Sequence, residues 1–166
     1  MQLTLSRHAT PVADLLIVTD TEGNLRALDF ADFEDRMRTL LTRHYGAVEL
    51  SEGEAPAAVV AALDAYFAGD LGALDTLPIA TGGSEFQRNV WAALRRIPAG
   101  TTTGYGALAA SLGKPGAARA VGLANGANPI GIVVPCHRVI GASGALTGYA
   151  GGVERKRWLL THERAI

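Results

Sequence analysis

The sequence predicts an α+β protein: a small N-terminal sheet-and-helix domain packed on a mostly helical C-terminal domain with a winged-helix-like helix-turn-helix. Three observations carry this prediction. The first thirty residues alternate between apolar and polar and are broken by turn chemistry, as half-buried strands are. Beyond them, apolar residues recur at helical spacing in runs closed by glycine or by Pro-Ala-Gly. Late in the chain, two short helical runs are joined by a glycine-bearing turn. A boundary near Gly82-Gly83 divides an N-terminal domain, residues 1–80, from a C-terminal domain, residues 81–166.

Leu15-Leu16-Ile17-Val18 and Leu25–Phe30 flank Thr21-Glu22-Gly23-Asn24, the pattern of a hairpin. After Asp32, read as an N-cap, Phe33, Met37, Leu40, Leu41 and His44 fall on one helical face, and Gly46 ends the run. Residues 56–68 predict a second helix, with Val59, Val60, Leu63 and Phe67 inward and Gly69 as its stop. His8 and His44 have no partners at metal-ligand spacing and read as surface or packing residues. Residues 71–83 read as a connecting segment.

Ser84-Glu85-Phe86-Gln87 is a capping box, in which serine and glutamine side chains satisfy reciprocal backbone donors. The helix it opens buries Phe86, Val90, Trp91 and Leu94 and stops at Pro98-Ala99-Gly100. Residues 105–112 predict a short helix stopped by Gly113, Lys114-Pro115-Gly116 a turn, and residues 117–124 the next helix. The apolar run 130–134 reads as a short buried strand leading to Pro135-Cys136-His137-Arg138-Val139. Residues 153–164 form a final amphipathic helix with Leu159 and Leu160 inward.

Composition narrows the function classes. With 166 residues, 48% of them apolar, the chain can bury a core in one compact domain or two small ones. No apolar run approaches the roughly 20 residues needed to span a bilayer. Met1-Gln2-Leu3-Thr4 does not resemble a signal peptide, so the expected location is the cytoplasm. A single cysteine rules out a disulfide scaffold, no zinc-ligand spacing exists, and neither metal nor cofactor is expected. The net charge of −1 hides an asymmetry: residues 1–80 hold five basic and thirteen acidic side chains, net −8, and residues 81–166 ten and three, net +7. A basic half of this kind suits a polyanion. It equally suits two oppositely charged surfaces meeting within the chain.

The second helix of the predicted helix-turn-helix is unusual for its small side chains. A major-groove reading helix offers Arg, Asn or Gln to base edges. Ala117-Ala118-Arg119-Ala120-Val121-Gly122 offers alanine, glycine and one arginine. Small side chains permit close approach to a narrow minor groove. They would also serve a tight helix–helix packing face. A lone arginine among alanines is odd in a core but sensible as a side chain inserted into a base stack.

A free cysteine is commonly an inert buried hydrophobe. If Cys136 is a nucleophile, it needs a base or a positive charge beside it, because at a pKa of about 8.5 only a few per cent is thiolate at neutral pH. His137 and Arg138 are available. Neighbours in an extended segment point to opposite faces, so His137 would reach Cys136 through a water. An orienting carboxylate is also required. Of the three acids in this half, Glu163 is the best placed by elimination; otherwise it is a solvated charge.

Ile97-Pro98-Ala99-Gly100, Tyr105-Gly106, Asn128-Pro129, Pro135-Cys136-His137-Arg138-Val139 and Thr147-Gly148-Tyr149-Ala150-Gly151-Gly152 resemble the methylated-DNA–protein-cysteine methyltransferases (O6-alkylguanine-DNA alkyltransferases), as do the helix-turn-helix and the ending from Lys156 to Glu163. The likeness is dense over residues 75–166. It implies repair by direct reversal: a flipped O6-alkylguanine, with O4-alkylthymine as a further candidate, passes its alkyl group irreversibly to Cys136, once per molecule. His137 would take the thiol proton through a water, with Glu163 orienting the imidazole. Asn128 would hold the turn before Cys136 and tie it to the helix-turn-helix. Tyr105 would assist the departing guanine and press on the adjacent phosphate. Arg119 would fill the gap left by the flipped base. Ala117, Ala118 and Gly122 would line a minor-groove face, and Val139, Tyr149 and Ala150 the base pocket. The implied partner is duplex DNA met by a monomer, with no membrane. Ala150 stands where some relatives have serine, which removes a hydroxyl contact, and Gly131 suggests room for alkyl groups larger than methyl.

Three rivals remain: a lesion-recognition protein without transfer, a winged-helix regulator with a structural cysteine, and a cysteine hydrolase. The first would lack the cysteine. The second would carry base-reading polar residues. The third would want cysteine and histidine far apart in sequence, and an oxyanion hole.

Overall fold

The computed structural model of the chain describes residues 1–146 and 148–166; Thr147, part of the 147–152 stretch quoted above, lies outside them. Two compact units result, residues 1–82 with 129–133 and residues 83–128 with 134–166.

The first unit is a four-stranded sheet with two helices: β1 (Gln2–His8), β2 (Leu15–Asp20), β3 (Leu25–Phe30), α1 (Glu34–Tyr45), β4 (Glu49–Glu52) and α2 (Ala57–Phe67). Strand order is β3-β2-β1-β4, with β1 antiparallel to β2, β2 antiparallel to β3, and β4 parallel to β1. The expected hairpin forms because Asp20 Oδ1 accepts from the backbone N–H of Glu22 (2.9 Å) and Asn24 (3.0 Å), with Gly23 at φ 83°. β2 is buried on both faces, which its unbroken run Leu15-Leu16-Ile17-Val18 permits. Leu3, Leu5, Leu16, Val18 and Ala27 form one core cluster with Met37 and Leu41 of α1.

Several details differ from the sequence expectation. Asp32 lies in a 3-10 turn, Ala31–Phe33, and the N-cap of α1 is Phe33. Tyr66 is the buried aromatic of α2, while Val60 and Phe67 are only partly covered. β4 carries the sequence Glu-Leu-Ser-Glu and is almost wholly exposed, so its backbone pairing leaves no hydrophobic pattern to read. The connecting segment is packed: Leu74 and Leu77 are buried, and Ile79 bridges to Leu25. Ile130 bridges to Leu28 on the same edge of β3, which places residues 129–133 with this unit.

The second unit contains α3 (Glu85–Arg95), β5 (Thr103–Gly104), α4 (Tyr105–Ser111), α5 (Ala118–Gly126), a 3-10 turn (Cys136–Arg138), β6 (Val139–Ile140) and α6 (Val153–His162). The capping box is formed: Ser84 Oγ accepts from the Gln87 N–H at 3.1 Å, and Gln87 Oε1 accepts from the Ser84 N–H at 3.0 Å. Gly83 precedes it at φ 82°, where a Cβ would meet Gln87 Oε1 at 2.7 Å and the Trp91 ring at 3.0 Å. Trp91, Val90 and Leu94 are buried as expected, and the Trp91 Nε1 donates to the Ala124 carbonyl (2.9 Å), fixing α3 against α5. Phe86 is only half covered, with the Lys114 ammonium 5.3 Å from its ring centroid. No helix of the described residues is long and apolar enough to cross a membrane.

Candidate active site and nucleic-acid interface

The predicted strand before Cys136 does not form. Residues 131–134 are turns, and Ile132 stands at φ 67°, a backbone region that β-branched residues rarely enter. The Val133 N–H donates to the Gly131 carbonyl (2.7 Å) across Ile132, closing a γ-turn. Pro135, at φ −81° and ψ 65°, then centres an inverse γ-turn in which the Cys136 N–H donates to the Val134 carbonyl at 2.8 Å. The pyrrolidine ring suits that φ and fixes how Cys136 enters its 3-10 turn. Helical rather than extended geometry removes the reason for placing Cys136 and His137 on opposite faces.

His137 is fully buried, with Nε2 2.8 Å from Glu163 Oε2. Glu163, the C-cap of α6, also accepts from Arg138 through Nε to Oε1 (2.8 Å) and Nη2 to Oε2 (2.9 Å). A carboxylate taking a bidentate guanidinium is ionised and can only accept, so the His137 Nε2 carries the hydrogen. Burial lowers the His137 pKa; Glu163 pulls it up and Arg138 and Lys156 push it down. The imidazole is therefore neutral near pH 7, with its lone pair on Nδ1, a buried atom that has no hydrogen-bond partner among the described residues.

Arg138, considered as a charge for the thiol, is committed elsewhere: besides Glu163, its Nη1 donates to the Ile97 carbonyl (2.6 Å). A cation that senses Cys136 is Lys156, which in the sequence counts toward the basic half and the family likeness without a role of its own. It is fully buried on α6, and its Nζ donates to the Val139 carbonyl at 2.6 Å. Burial lowers its pKa, and attraction to the Cys136 thiolate raises it in part. Its signal in the sequence is a lysine three residues before the inward pair Leu159 and Leu160, on the helix face that should be apolar.

Two asparagines hold the backbone around the cysteine. Asn128 Nδ2 donates to the Val134 carbonyl (2.8 Å), and Asn125 Nδ2 lies 3.5 Å from the Cys136 carbonyl. Both are buried, Asn125 in the last turn of α5 and Asn128 two residues beyond it. Asn125 was missed; its spacing of three from Asn128 at a helix end was the available signal. Cys136 itself, the one cysteine of the sequence, is buried. Tyr105 opens α4 half-buried, and its pKa is raised by burial and then by the Cys136 charge, so its phenol stays protonated and can donate. Tyr149 and Ala150 are half-buried, the Tyr149 ring edge-on to His137 at 6.5 Å, and Val139 is buried. A Cβ on Gly131 would sit 3.3 Å from the Leu28 carbonyl, which also accepts from the Gly131 N–H (2.9 Å). That backbone approach accounts for the glycine, and a proline there would remove the bond.

The helix-turn-helix forms from α4, a turn with Gly113 at φ 73°, and α5, which runs two residues beyond expectation. Val121 and Ala124 pack inward. Arg119 is exposed, Ala117, Ala118 and Gly122 are partly covered, and a Cβ on Gly122 would touch the Tyr105 ring at 3.7 Å. The small residues thus divide between the outer face and the contact with α4.

A buried cysteine beside a carboxylate-oriented histidine, in a unit that also carries a helix-turn-helix, defines a class of cysteine-nucleophile proteins built to meet DNA. Comparison makes this specific. Residues 8–81 match the 6-O-methylguanine DNA methyltransferase ribonuclease-like domain, and residues 85–165 the 6-O-methylguanine DNA methyltransferase DNA-binding domain. The methylated-DNA–protein-cysteine methyltransferase of Salmonella typhimurium is 55% identical over 165 residues, 98% of this chain and 96% of that one. Among solved structures, Mycobacterium tuberculosis OGT in complex with DNA superposes with a TM-score of 0.82 at 41% identity, covering 97% of this chain and 92% of that one. The O6-methylguanine-DNA methyltransferase of Pyrococcus kodakaraensis gives 0.74 at 25% identity, covering 97% and 98%. The chain belongs to the methylated-DNA–protein-cysteine methyltransferase family.

Proposed function

We propose that this protein repairs O6-alkylguanine in duplex DNA by moving the alkyl group to Cys136, with O4-alkylthymine as a second substrate. The observation that carries the reading is the His137–Glu163 pair, which leaves a neutral imidazole with an unengaged Nδ1 in the 3-10 turn of the cysteine. His137 takes the thiol proton through a water. The thiolate attacks the alkyl carbon in line; the carbon–O6 bond breaks and its electrons pass to the guanine. Tyr105 donates a hydrogen bond to the departing base, which recovers the proton given up by the thiol. The thioether has no easy route back, so one molecule repairs one base.

In this proposal Arg119 fills the gap left by the extruded nucleotide, and Ala117, Ala118 and Gly122 allow close approach along the minor groove. Extrusion is needed because stacking blocks in-line access to O6, and a lesion whose pairing is already weakened costs least to flip. Val139, Tyr149 and Ala150 shape the base pocket, and Asn128 holds the turn before Cys136. Residues 81–166 carry binding and transfer and residues 1–80 support them, in a monomer working in the cytoplasm. Intact-protein mass spectrometry after mixing with a duplex bearing one O6-methylguanine tests this. One methyl increment on Cys136, saturating at one per chain, is expected. Tight binding without any increment would replace transfer by lesion recognition.

A further inference from the structure

Leu123 is 73% exposed in the middle of α5. Among the described residues, the other exposed large apolar side chains are Met1 and Ile166, at the two ends of the sequence, and Val153, at the first position of α6. A scattered exposed leucine is ordinary, but the surroundings of this one are not. Leu123 follows Arg119 by four residues, so the two side chains are neighbours on one helix face, one turn apart. The rest of that face is Ala120 and Gly126, both exposed. Arginine and leucine are therefore the only long side chains on a strip otherwise cleared for close approach, within a half of the chain whose net charge is +7.

We propose that Leu123 is an apolar minor-groove contact, burying its side chain against deoxyribose walls and base edges one turn along from Arg119. The proposal rests on the DNA-binding part of the function proposed above. Minor-groove proteins set apolar side chains, leucine among them, at base steps beside basic residues, and taking that apolar surface out of water favours binding. Charge and apolar burial leave different signatures. Phosphate contacts release counterions and set the slope of log affinity against log salt, whereas burying a leucine strengthens binding at every salt concentration.

The test is fluorescence anisotropy of the full chain on undamaged duplex over a series of salt concentrations. Leu123→Ala is expected to bind about tenfold more weakly throughout with the slope unchanged, the effect of losing most of a leucine's burial. Leu123→Met, apolar and of similar volume, should restore most of the affinity. Unchanged affinity in Leu123→Ala, or a loss expressed as a changed slope, overturns the proposal. So does altered sedimentation with unaltered duplex affinity, which would give Leu123 to a second copy of the chain. Methyl transfer by the unsubstituted protein, read by mass in parallel, separates the two proposals: no transfer with Leu123-dependent binding would sink the repair reading alone.

Discussion

Glu163 Oε2 accepts from both His137 Nε2 (2.8 Å) and Arg138 Nη2 (2.9 Å), so one carboxylate oxygen joins the proposed base to the guanidinium that pairs with that carboxylate. Arg138 keeps Glu163 ionised, and an ionised Glu163 keeps the hydrogen of His137 on Nε2. The tautomer needed for proton abstraction at Nδ1 is thus set through Glu163 by a guanidinium whose other bond goes to the Ile97 carbonyl.

Replacing the proposed base should cost rate while sparing recognition. His137→Gln is expected to slow single-turnover methyl transfer by about 10²–10⁴-fold, the usual contribution of a general base. Duplex affinity should stay within about twofold of the parent, a change worth less than 0.5 kcal/mol. Glu163→Gln removes the interaction that raises the His137 pKa and leaves Arg138 buried without its carboxylate. It should lose about 3–5 kcal/mol of stability in urea titration as well as rate. Transfer at the parental rate in a folded Glu163→Gln protein would remove Glu163 from the mechanism.

The pH dependence follows from the lowered pKa of His137. The neutral base persists below pH 6.5, so the acid limb of the transfer rate should lie below the ordinary histidine value. Stability takes the same sign. As pH falls through 6.5 the unfolded chain takes up a proton that folded His137 refuses, so the unfolded state binds more protons and the fold weakens. One such group contributes a slope of at most about 1.4 kcal/mol per pH unit, until the pH passes the lowered native pKa. His44, also lowered by burial, adds to the total, so the comparison is between the parent and His137→Gln. The variant should show a shallower loss between about pH 6.5 and 5; equal slopes would mean that His137 titrates normally.

How much of this was legible in advance depends on where the information sits. Capped and periodic helices were readable, because Ser84 and Gln87 satisfy each other locally and Val90, Trp91 and Leu94 repeat on one face. Glu163 was reachable because acids are scarce in the second half. The approach to Cys136 reads as a strand because Ile130-Gly131-Ile132-Val133-Val134 has strand composition, whereas its turns go with the bridge to Leu28, remote in sequence, and with the side-chain bond from Asn128 to Val134, which a hydrophobic pattern does not show. Lys156 was passed over because a lysine on an amphipathic helix is normally solvated. The Val139 carbonyl, brought against α6 by the fold, gives this one a buried partner.

The asparagine tie should be a stability element. Asn128→Ala would take one of two donors from the buried Val134 carbonyl, which keeps the Cys136 N–H, at a cost of about 1 kcal/mol. Asn125→Ala, whose bond to the Cys136 carbonyl is long at 3.5 Å, should cost less. Denaturant midpoints of the two variants rank them, and the opposite order would transfer the main tie to Asn125.

Lys156 gives the sharpest separation between packing and chemistry. The attraction that raises its pKa is an attraction to the Cys136 thiolate, and it acts equally on the sulfur, favouring loss of the thiol proton. Burial of the ammonium opposes folding, so Lys156→Met should not be badly destabilised: methionine fills similar space and removes a desolvated charge, although the Val139 carbonyl loses a donor. Chemistry should suffer instead. Loss of the charge would raise the Cys136 pKa, each unit leaving about tenfold less thiolate at a fixed pH below it. The Cys136 pKa can be read from thiolate ultraviolet absorbance against pH in parent and variant. A stable Lys156→Met protein with raised thiol pKa and slower transfer assigns Lys156 to thiolate stabilisation. A variant that unfolds readily while its Cys136 pKa stays unchanged would make Lys156 a packing residue whose work is the bond to Val139.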